Sequence, residues 1–417
     1  MISKNGTIKN GLHRVVITGI GAVTSIGKGK EAFWNGLIAG RSGVSRITAF
    51  DTSEFRTSIG GEIKDFDPLQ FIHADNLARY GRASQLGIAA TKLAIEDAQL
   101  GDHDLMNRSL GVIVGTTNGE SKVMESINDR WVNQGWDQID EMNILQYPGN
   151  LIALNIAKEL EMEADCVVIP TACAAGNYAI GYGYDQIRTG KRELVFAGGC
   201  DAFSRSGFTG FNSLFALAPE KCQPFDKNRK GIVVGEGAGI VVLESLEHAL
   251  QRGAINYAEI LGYALSCDAS HMTIPSADGV LAVMEKALKE SAVDKTRVSY
   301  ISAHGTGTTM NDRVESSAIR RVFGERAQKI PVSSIKSMLG HTMGAASALE
   351  AIACAMAIYD SKIPPTINHE TDDEECKIDC VPNRMRELDV DVALNNSFAF
   401  GGNNACLVLG KCPVGVI

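Results

Sequence analysis

Apolar runs of strand type alternate with helical segments along nearly the whole chain, and this alternation constrains the fold more than any other feature. The strand runs of the first half are residues 14–19, 110–115, 165–170, 194–199 and 237–244. A second series follows at residues 257–265, 298–303, 330–335, 390–395 and 405–410. Strands separated by helices of ten or more residues predict an α/β fold with largely parallel central strands. We expect two similar halves, 1–255 and 256–417, in one body, because no linker rich in Pro and Ser separates them.

The composition excludes several classes of protein. The 417 residues are 45% hydrophobic and 21% charged, which is the balance of a soluble protein with a large core. The net charge is -9 and no region combines a dense Lys/Arg run with aromatic residues, so we expect no nucleic-acid partner. The first ten residues lack the apolar stretch of a secretory signal. No run approaches the ~18 apolar residues of a membrane span, so we expect a cytoplasmic protein.

Ten cysteines are scattered through the chain without a Cys-x-x-Cys pair. This usage is typical of a reducing compartment, where most cysteines are small core residues. Cys376 and Cys380 are the closest pair and Cys412 follows them, but no fitting fourth ligand lies near in sequence. We therefore expect no metal site.

Cys173 is the strongest candidate nucleophile. It follows a predicted strand in Pro170-Thr171-Ala172-Cys173, and small residues after it permit a sharp turn into a helix. At a helix N-terminus, free N–H groups and the helix dipole favour the thiolate, which predicts a thiol pKa below the usual ~8.5. The same N–H groups can hold an oxyanion. The alternative interpretation is a buried structural cysteine.

Two histidines and one aromatic loop share the topological position of a ligand site. His304 directly follows the strand 298–303, and His341 follows the strand 330–335 after a short segment. Open α/β sheets bind ligands beyond the carboxyl ends of their strands. Phe400 lies between the last two strands, next to Gly401 and Gly402, where the backbone can come close to a ligand and the ring would gate a pocket.

A dinucleotide fingerprint is incomplete in this chain. Gly19 and Gly21 follow the first strand, but Thr24 stands where the third glycine is required. We expect no nucleotide cofactor.

Several long motifs together resemble the elongating β-ketoacyl-acyl carrier protein synthases of the thiolase-like superfamily. In chain order they are VVITGIGAVTSIG, PTACAAG, AGGCDAF, PFDKNRKGIVVGEGAG, DASHMT, AHGTGT, KSMLGH, PPTIN and NSFAFGGNN. The resemblance runs nearly end to end. It implies a thiolase-like fold, in which two similar halves each have a mixed, mostly parallel sheet and the layers are α-β-α-β-α.

The resemblance also implies a reaction. Cys173 would accept an acyl chain, and a decarboxylative Claisen condensation with malonyl-acyl carrier protein would give a β-ketoacyl-acyl carrier protein and CO₂. His304 and His341 would stabilise the enolate, and N–H groups of Cys173 and Phe400 would hold the oxyanion. The second histidine favours chain elongation, because the chain-initiating branch has Asn there. No cofactor is implied, and the expected partners are an acyl carrier protein and a second copy of the chain in a homodimer.

Further roles follow from the same resemblance. Lys336 would be a buried support near His304, held by Glu315, Asp312 or Glu350. The residues expected to contact substrate are the pantetheine-binding Thr306, Thr308 and Thr273 and the acyl-pocket residues Asn118 and Ala399. Arg79 and Arg82 would dock the carrier protein.

The chain departs from the family pattern at several positions. Ala399 and Asn403 replace Gly and Thr of the gate loop, and Ala restricts φ where Gly does not. Lys230 replaces the Asp of an Arg-Asp-Gly sequence, which reverses a charge. Asn118 stands where an apolar residue is usual. Two other functions remain open, a carrier-binding partner that does not condense and a Cys-His hydrolase of thioesters.

Overall fold

The structure is a computed structural model that describes residues 7–8, 11–106 and 109–412. We number the ten strands of the main sheet β1 Val15–Thr24, β2 Leu110–Gly115, β3 Ala164–Ile169, β4 Leu194–Asp201, β5 Gly237–Ser245, β6 Ala258–Cys267, β7 Val298–Ser302, β8 Val332–Ser333, β9 Val392–Phe398 and β10 Asn403–Gly410. The short strand Gly27–Lys28 pairs with β1. Other two-residue strands are Thr7–Ile8, Leu12–His13, Ser45–Arg46, Ile59–Gly60, Lys362–Ile363 and Arg386–Glu387.

The helices lie between these strands. They are α1 Lys30–Ile38, α2 Ala74–Leu77, α3 Arg82–Asp97, α4 Asp102–Met106, α5 Ser121–Gln134, α6 Glu141–Gln146, α7 Leu151–Glu159, α8 Ala175–Arg188, α9 Arg205–Ser213, α10 Leu246–Gln251, α11 Ala277–Glu290, α12 Thr309–Phe323, α13 Lys336–Leu339 and α14 Ala346–Asp360.

The two halves of the sheet repeat one topology. From its outer edge, the first half has the order β3-β2-β4-β5-β1 and the second half has the order β8-β7-β9-β10-β6. In each half the outer three strands are parallel and the inner two pairings are antiparallel. The halves join where β6 pairs with β1. The predicted α/β fold of two similar halves is confirmed, and the boundary at residues 255/256, in the loop between α10 and β6, stays a prediction.

Helices form three layers around the two half-sheets. The helix α3 packs on the outside of the first half, α11 and α12 pack on the outside of the second, and α8 and α14 contact each other between the halves. The contact is close because Gly176 has no side chain. A Cβ at this position would lie 2.6 Å from the backbone nitrogen of Ala348.

Each central helix begins at a related turn. A 3₁₀ turn at Ala172–Ala174 precedes α8, and a 3₁₀ turn at Met343–Ala345 precedes α14. The φ angles of Ala172 and Met343 are +51° and +53°, a conformation that non-glycine residues rarely adopt. Both halves therefore use the same strained turn to enter their central helix.

One helical segment contradicts the expectation that no apolar run is long enough to span a membrane. Met343–Asp360 is long and apolar enough to cross a membrane by length and composition. The statement that no run approaches this length is therefore wrong. Since 89% of the segment is buried inside the protein, it is a core helix here.

Candidate active site

Cys173 lies at the entrance of the central layer, where β3 ends and α8 begins. Its side chain is only 6% exposed. The Ser397 hydroxyl donates a hydrogen bond to the Cys173 carbonyl oxygen at 3.0 Å, which ties the turn to β9. The strained φ of Ala172 makes the turn sharp, so the thiol points into the cavity between the halves.

His304 and His341 meet Cys173 in three dimensions. A thiol sulfur and one ring nitrogen from each histidine all lie within 4.8 Å of one another. The two rings are 5.7 Å apart and nearly perpendicular. Residues that are 131 and 168 positions from the cysteine in sequence thus form one cluster. The three donors are close enough together to hold a cation, so the expectation of no metal site stays a prediction.

Both imidazoles are held in the neutral form. Burial lowers the pKa of His304 and of His341 well below the ordinary value, and the nearby charge of Lys336 lowers it further. The N–H of Met343 donates to Nδ1 of His341 at 3.1 Å. The proton of the neutral His341 ring is therefore on Nε2, which makes this atom a hydrogen-bond donor.

Lys336 supports the His304 loop from behind. Its ammonium donates to the carbonyl oxygen of His304 at 2.7 Å and forms a buried ion pair with Glu350. Of the three carboxylates considered as its partner, Glu350 is therefore the one in contact. Burial nevertheless raises the pKa of Glu350 to about 7, although Lys336 opposes this shift.

The other two carboxylates hold the backbone of the same loop. Glu315 accepts hydrogen bonds from the N–H groups of His304 and Gly305 at 2.9 and 2.8 Å. Asp312 accepts from the N–H of Gly307 at 3.2 Å. Both carboxylates are on α12, so this helix presents polar groups to the interior and fixes the position of His304.

The thiol pKa contradicts the sequence-based expectation. Burial raises the pKa of Cys173 to about 11, although Lys336 and the N–H groups of Phe400 and Cys173 act in the opposite direction. The helix N-terminus was expected to lower this pKa. That expectation is wrong here because the loss of hydration outweighs the favourable dipoles.

The Phe400 loop brings a second backbone N–H group to the thiol. The backbone N–H groups of Phe400 and Cys173 both interact with the Cys173 sulfur, so they converge where an oxyanion would form. Gly401 and Gly402 have φ angles of +84° and +82°. Ala399 has φ −93°, which any residue adopts. The Gly-to-Ala departure therefore causes no strain in this conformation.

A cavity of about 290 Å³ leads from the surface to Cys173. Three predicted pantetheine contacts line it, namely Thr273, Thr306 and Thr308, and the last two hydroxyls are 2.9 Å apart. Ala399 also lines it, but Asn118 does not. The N–H of Asn118 instead donates to Asp201 at 2.9 Å in the loop after β2.

The predicted docking arginines differ from each other. Arg79 is exposed. Arg82 donates to the buried Glu236 and to the Ile63 carbonyl oxygen, each at 3.0 Å, and its guanidinium covers the Phe66 ring. The structure therefore places Arg82 in an ion pair with Glu236, and the carrier-docking role of both arginines stays a prediction.

Sequence reasoning missed the outer wall of the cavity. This wall is largely apolar. It comes from the end of α9 and the residues after it, from the loop after β6 and from the start of α12, with Phe211, Leu214, Phe215, Met272, Ile274 and Met310. Phe211 lies against Phe400, with ring centroids 5.9 Å apart. In the sequence, the available sign of this wall is that apolar residues follow otherwise polar segments. This pattern alone is too weak to predict a cavity wall.

The fold and the site together define a condensing enzyme of the thiolase-like class. The family "Beta-ketoacyl synthase, N-terminal domain" matches residues 12–249, and "Beta-ketoacyl synthase, C-terminal domain" matches residues 257–370. The chain belongs to the β-ketoacyl synthase family. The family resemblance and the acyltransferase class predicted from the sequence are thus confirmed.

Individual relatives are similar over nearly the full chain. The 3-oxoacyl-[acyl-carrier-protein] synthase 2 of Synechocystis sp. is 42% identical, with 95% of this chain and 98% of that protein aligned. The ishigamide ketosynthase/chain length factor structure is 47% identical with a TM-score of 0.94, covering 96% of this chain and all of that chain. The AntDE:AntF complex, a type II PKS acyl-carrier protein with its ketosynthase bound to the hexaketide, is 34% identical with a TM-score of 0.89, covering 96% of this chain and 100% of that chain. The predicted function, elongating condensation in fatty-acid or polyketide synthesis, agrees with these relatives.

Proposed function

We propose that Cys173, His304 and His341 catalyse the decarboxylative condensation of a Cys173-bound acyl chain with a malonyl thioester. One observation carries the assignment: the thiol and the two neutral imidazoles lie within 4.8 Å of one another. A hydrolase would need a base to activate water. Here Nδ1 of His341 accepts from the Met343 N–H, so its Nε2 is a hydrogen-bond donor and is suited to stabilise negative charge rather than to take a proton from water.

The first step transfers an acyl group. The Cys173 sulfur attacks the thioester carbonyl, the new C–S bond forms, and the bond to the carrier sulfur breaks. The thiol proton passes to the departing sulfur, so one thiol is exchanged for another. The N–H groups of Cys173 and Phe400 stabilise the oxyanion of the tetrahedral intermediate.

The second step makes the carbon–carbon bond. When the malonyl thioester loses CO₂, the electron pair of the broken C–C bond becomes an enolate on the thioester oxygen. His304 and His341 donate hydrogen bonds to this oxygen. The enolate carbon then attacks the acyl carbonyl, the C–S bond to Cys173 breaks, and the thiolate takes a proton from solvent.

The partner in both steps is an acyl carrier protein. The AntDE:AntF complex contains a ketosynthase with its acyl-carrier protein, and 96% of the present chain is aligned with that structure. The hydroxyl-lined cavity supports a pantetheine arm as the part of the carrier that enters. We place the enzyme in the cytoplasm, with Met343–Asp360 in its core.

A second copy of the chain would cover an unpaired sheet edge. Among the described residues, β3 pairs only with β2, and its other side is a free edge. Near it in sequence, α5 and α6 carry exposed apolar side chains, including Val132 at 73% and Leu145 at 64%. Such edges are normally covered. Analytical ultracentrifugation tests the homodimer, and a monomer at micromolar concentration would overturn it.

The enzymatic proposal is tested by separating the two steps. Wild-type enzyme, Cys173→Ala and His341→Ala are incubated with acyl-carrier protein and then with malonyl-carrier protein, and covalent acylation and product are followed by mass spectrometry. Cys173→Ala is expected to abolish acylation, whereas His341→Ala is expected to acylate but not to form product. Cys412→Ala, which changes a buried cysteine of a separate small cluster, is the matched control. Release of free acid without consumption of malonyl groups would overturn the proposal in favour of a hydrolase.

A further inference from the structure

Lys230 is exceptional in the wall of the Cys173 cavity. Among the described residues that line this cavity, it is the only one with a permanent charge, and no Asp or Glu is present. Its side chain is exposed, and within the described part of the chain it has no ion pair or side-chain hydrogen bond. A free cation thus stands at the mouth of a cavity that has no carboxylate to neutralise it.

The residues beside Lys230 fix its position. The preceding Arg229 is buried, pairs with Asp373, and donates to the Asp226 carbonyl oxygen at 2.8 Å. The following Gly231 donates its N–H to the Gly307 carbonyl oxygen at 2.9 Å. The segment is therefore bound to the loop that carries His304. Arg229 makes its contacts inside the protein, whereas the neighbouring Lys230 faces the cavity.

The chemistry of the cavity wall changes along its depth. Cys173 and Thr306 are both 6% exposed, Thr308 and Thr273 are half-buried, and Lys230 is exposed. An acyl chain delivered on phosphopantetheine has its thioester at one end of the arm and its phosphate at the other. With the thioester at Cys173, the amides of the arm would lie along the hydroxyls and the phosphate would lie at the exposed part of the wall, where Lys230 is.

We propose that the Lys230 ammonium binds the phosphate of the phosphopantetheine arm. This inference rests on the proposed condensing function. A lysine ammonium is a compact charge suited to phosphate, and a charge-assisted hydrogen bond is stronger than a neutral one. The protein carries a net charge of -9, so a local cation is needed to attract an anionic group. This contact would explain why Lys230 stands where the family has the Asp of its Arg-Asp-Gly sequence.

The test compares three substrates that share one acyl group. They are hexanoyl-pantetheine, hexanoyl-phosphopantetheine and hexanoyl-carrier protein. Each is supplied to wild-type enzyme and to Lys230→Met, Lys230→Arg and Lys230→Asp, and acylation of Cys173 is followed by intact mass. Lys227→Met is the matched control, because Lys227 is exposed in the same segment but does not line the cavity.

The expected result is selective for phosphate. Lys230→Met should lower kcat/KM about tenfold for both phosphorylated substrates, the order expected for one charge-assisted contact, and leave hexanoyl-pantetheine unchanged. Lys230→Asp should lower it further, Lys230→Arg should retain most of it, and added salt should weaken the wild-type preference for phosphate.

Three results would overturn the inference. An equal loss with and without phosphate would mean that Lys230 acts on the site itself. A loss confined to the carrier-bound substrate would mean that it binds a carboxylate of the carrier protein. No loss with any substrate would mean that it contacts none of them. Failure of the proposed function looks different, because wild-type enzyme would then either not be acylated by any of the three substrates or, as a hydrolase, release free hexanoic acid from them.

Discussion

The raised pKa of Cys173 predicts how its alkylation depends on pH. Only the thiolate reacts with iodoacetamide, and a thiol with a pKa of about 11 is ionised to about one part in 10⁴ at pH 7. A free cysteine with a pKa of ~8.5 is ionised to about 3% at this pH. Burial thus lowers the thiolate population roughly 300-fold.

Part of this loss is recovered, because a more basic thiolate is a better nucleophile. With a Brønsted slope near 0.45, a pKa higher by about 2.5 units raises the intrinsic reactivity roughly 13-fold. The net expectation is that Cys173 reacts roughly 20-fold more slowly than a free thiol at pH 7. Cys267 is exposed and should therefore be labelled first among the ten cysteines.

The assay is the rate of carbamidomethylation of the Cys173 peptide, measured by mass spectrometry between pH 6 and 10. Between pH 7 and 9 the Cys173 rate should rise about 100-fold, whereas that of a free thiol rises about 25-fold as it approaches full ionisation. Lys336→Met should shift the Cys173 profile to higher pH, because the Lys336 charge lowers the thiol pKa. Lys411→Met, on the surface, should not. A rate that is independent of pH between 6 and 8 would refute the reasoning, since it would show a thiolate–imidazolium pair.

Three further outcomes are expected. Burial raises the pKa of Glu244, but hydrogen bonds from His248, Arg252 and Thr18 outweigh it and lower the value to about 2. The folded pKa is below the unfolded one, so the stabilisation is present above about pH 4.5 and is lost on acidification, by about 2 kcal/mol between pH 6 and 3. Urea unfolding should show this pH dependence in wild-type protein and less of it in Glu244→Gln; equal dependence would contradict it. Gly402→Ala should lower condensing activity more than Gly401→Ala, because both residues have positive φ but only a Cβ at 402 collides, at 2.8 Å from the Cβ of Asp268; equal activities of the two variants would argue against this. No resident metal is expected, but added Zn²⁺ should protect the active-site thiol from alkylation until a chelator is added, since a thiol and two neutral imidazoles are suitable zinc ligands; protection that survives loss of one histidine would contradict this coordination.

The sequence predicted the parts of the site that lie directly beyond strands. His304 follows β7, and Cys173 lies between β3 and α8, so local patterns were enough to find them. The helix α12 was missed. Its buried face carries Asp312 and Glu315, which bind the backbone of the His304 loop, so its apolar periodicity is interrupted for a functional reason.

The thiol pKa could not be obtained from sequence for a different reason. The helix terminus is local and visible in the pattern. Desolvation of the thiol depends on the residues that surround Cys173 in the fold. These lie about 130 to 230 positions away in the sequence, as His304 and Phe400 do. The ion pair of Arg82 could not be predicted for the same reason, because its partner Glu236 is brought to it only by the fold.

The related turns at Ala172 and Met343 explain why a fold of two similar halves has a single candidate active site. Cys173 follows the first strained residue, and Gly344 follows the second. A Cβ at Gly344 would lie 2.5 Å from the Cα of Thr116, and the Gly344 N–H is already bound to Asp201 at 2.6 Å. The second turn is filled by neighbouring backbone and cannot accept any side chain. The pseudosymmetry thus ends at the candidate site: the first half contributes the Cys173 thiol, and the second half contributes His304, His341 and the Phe400 loop.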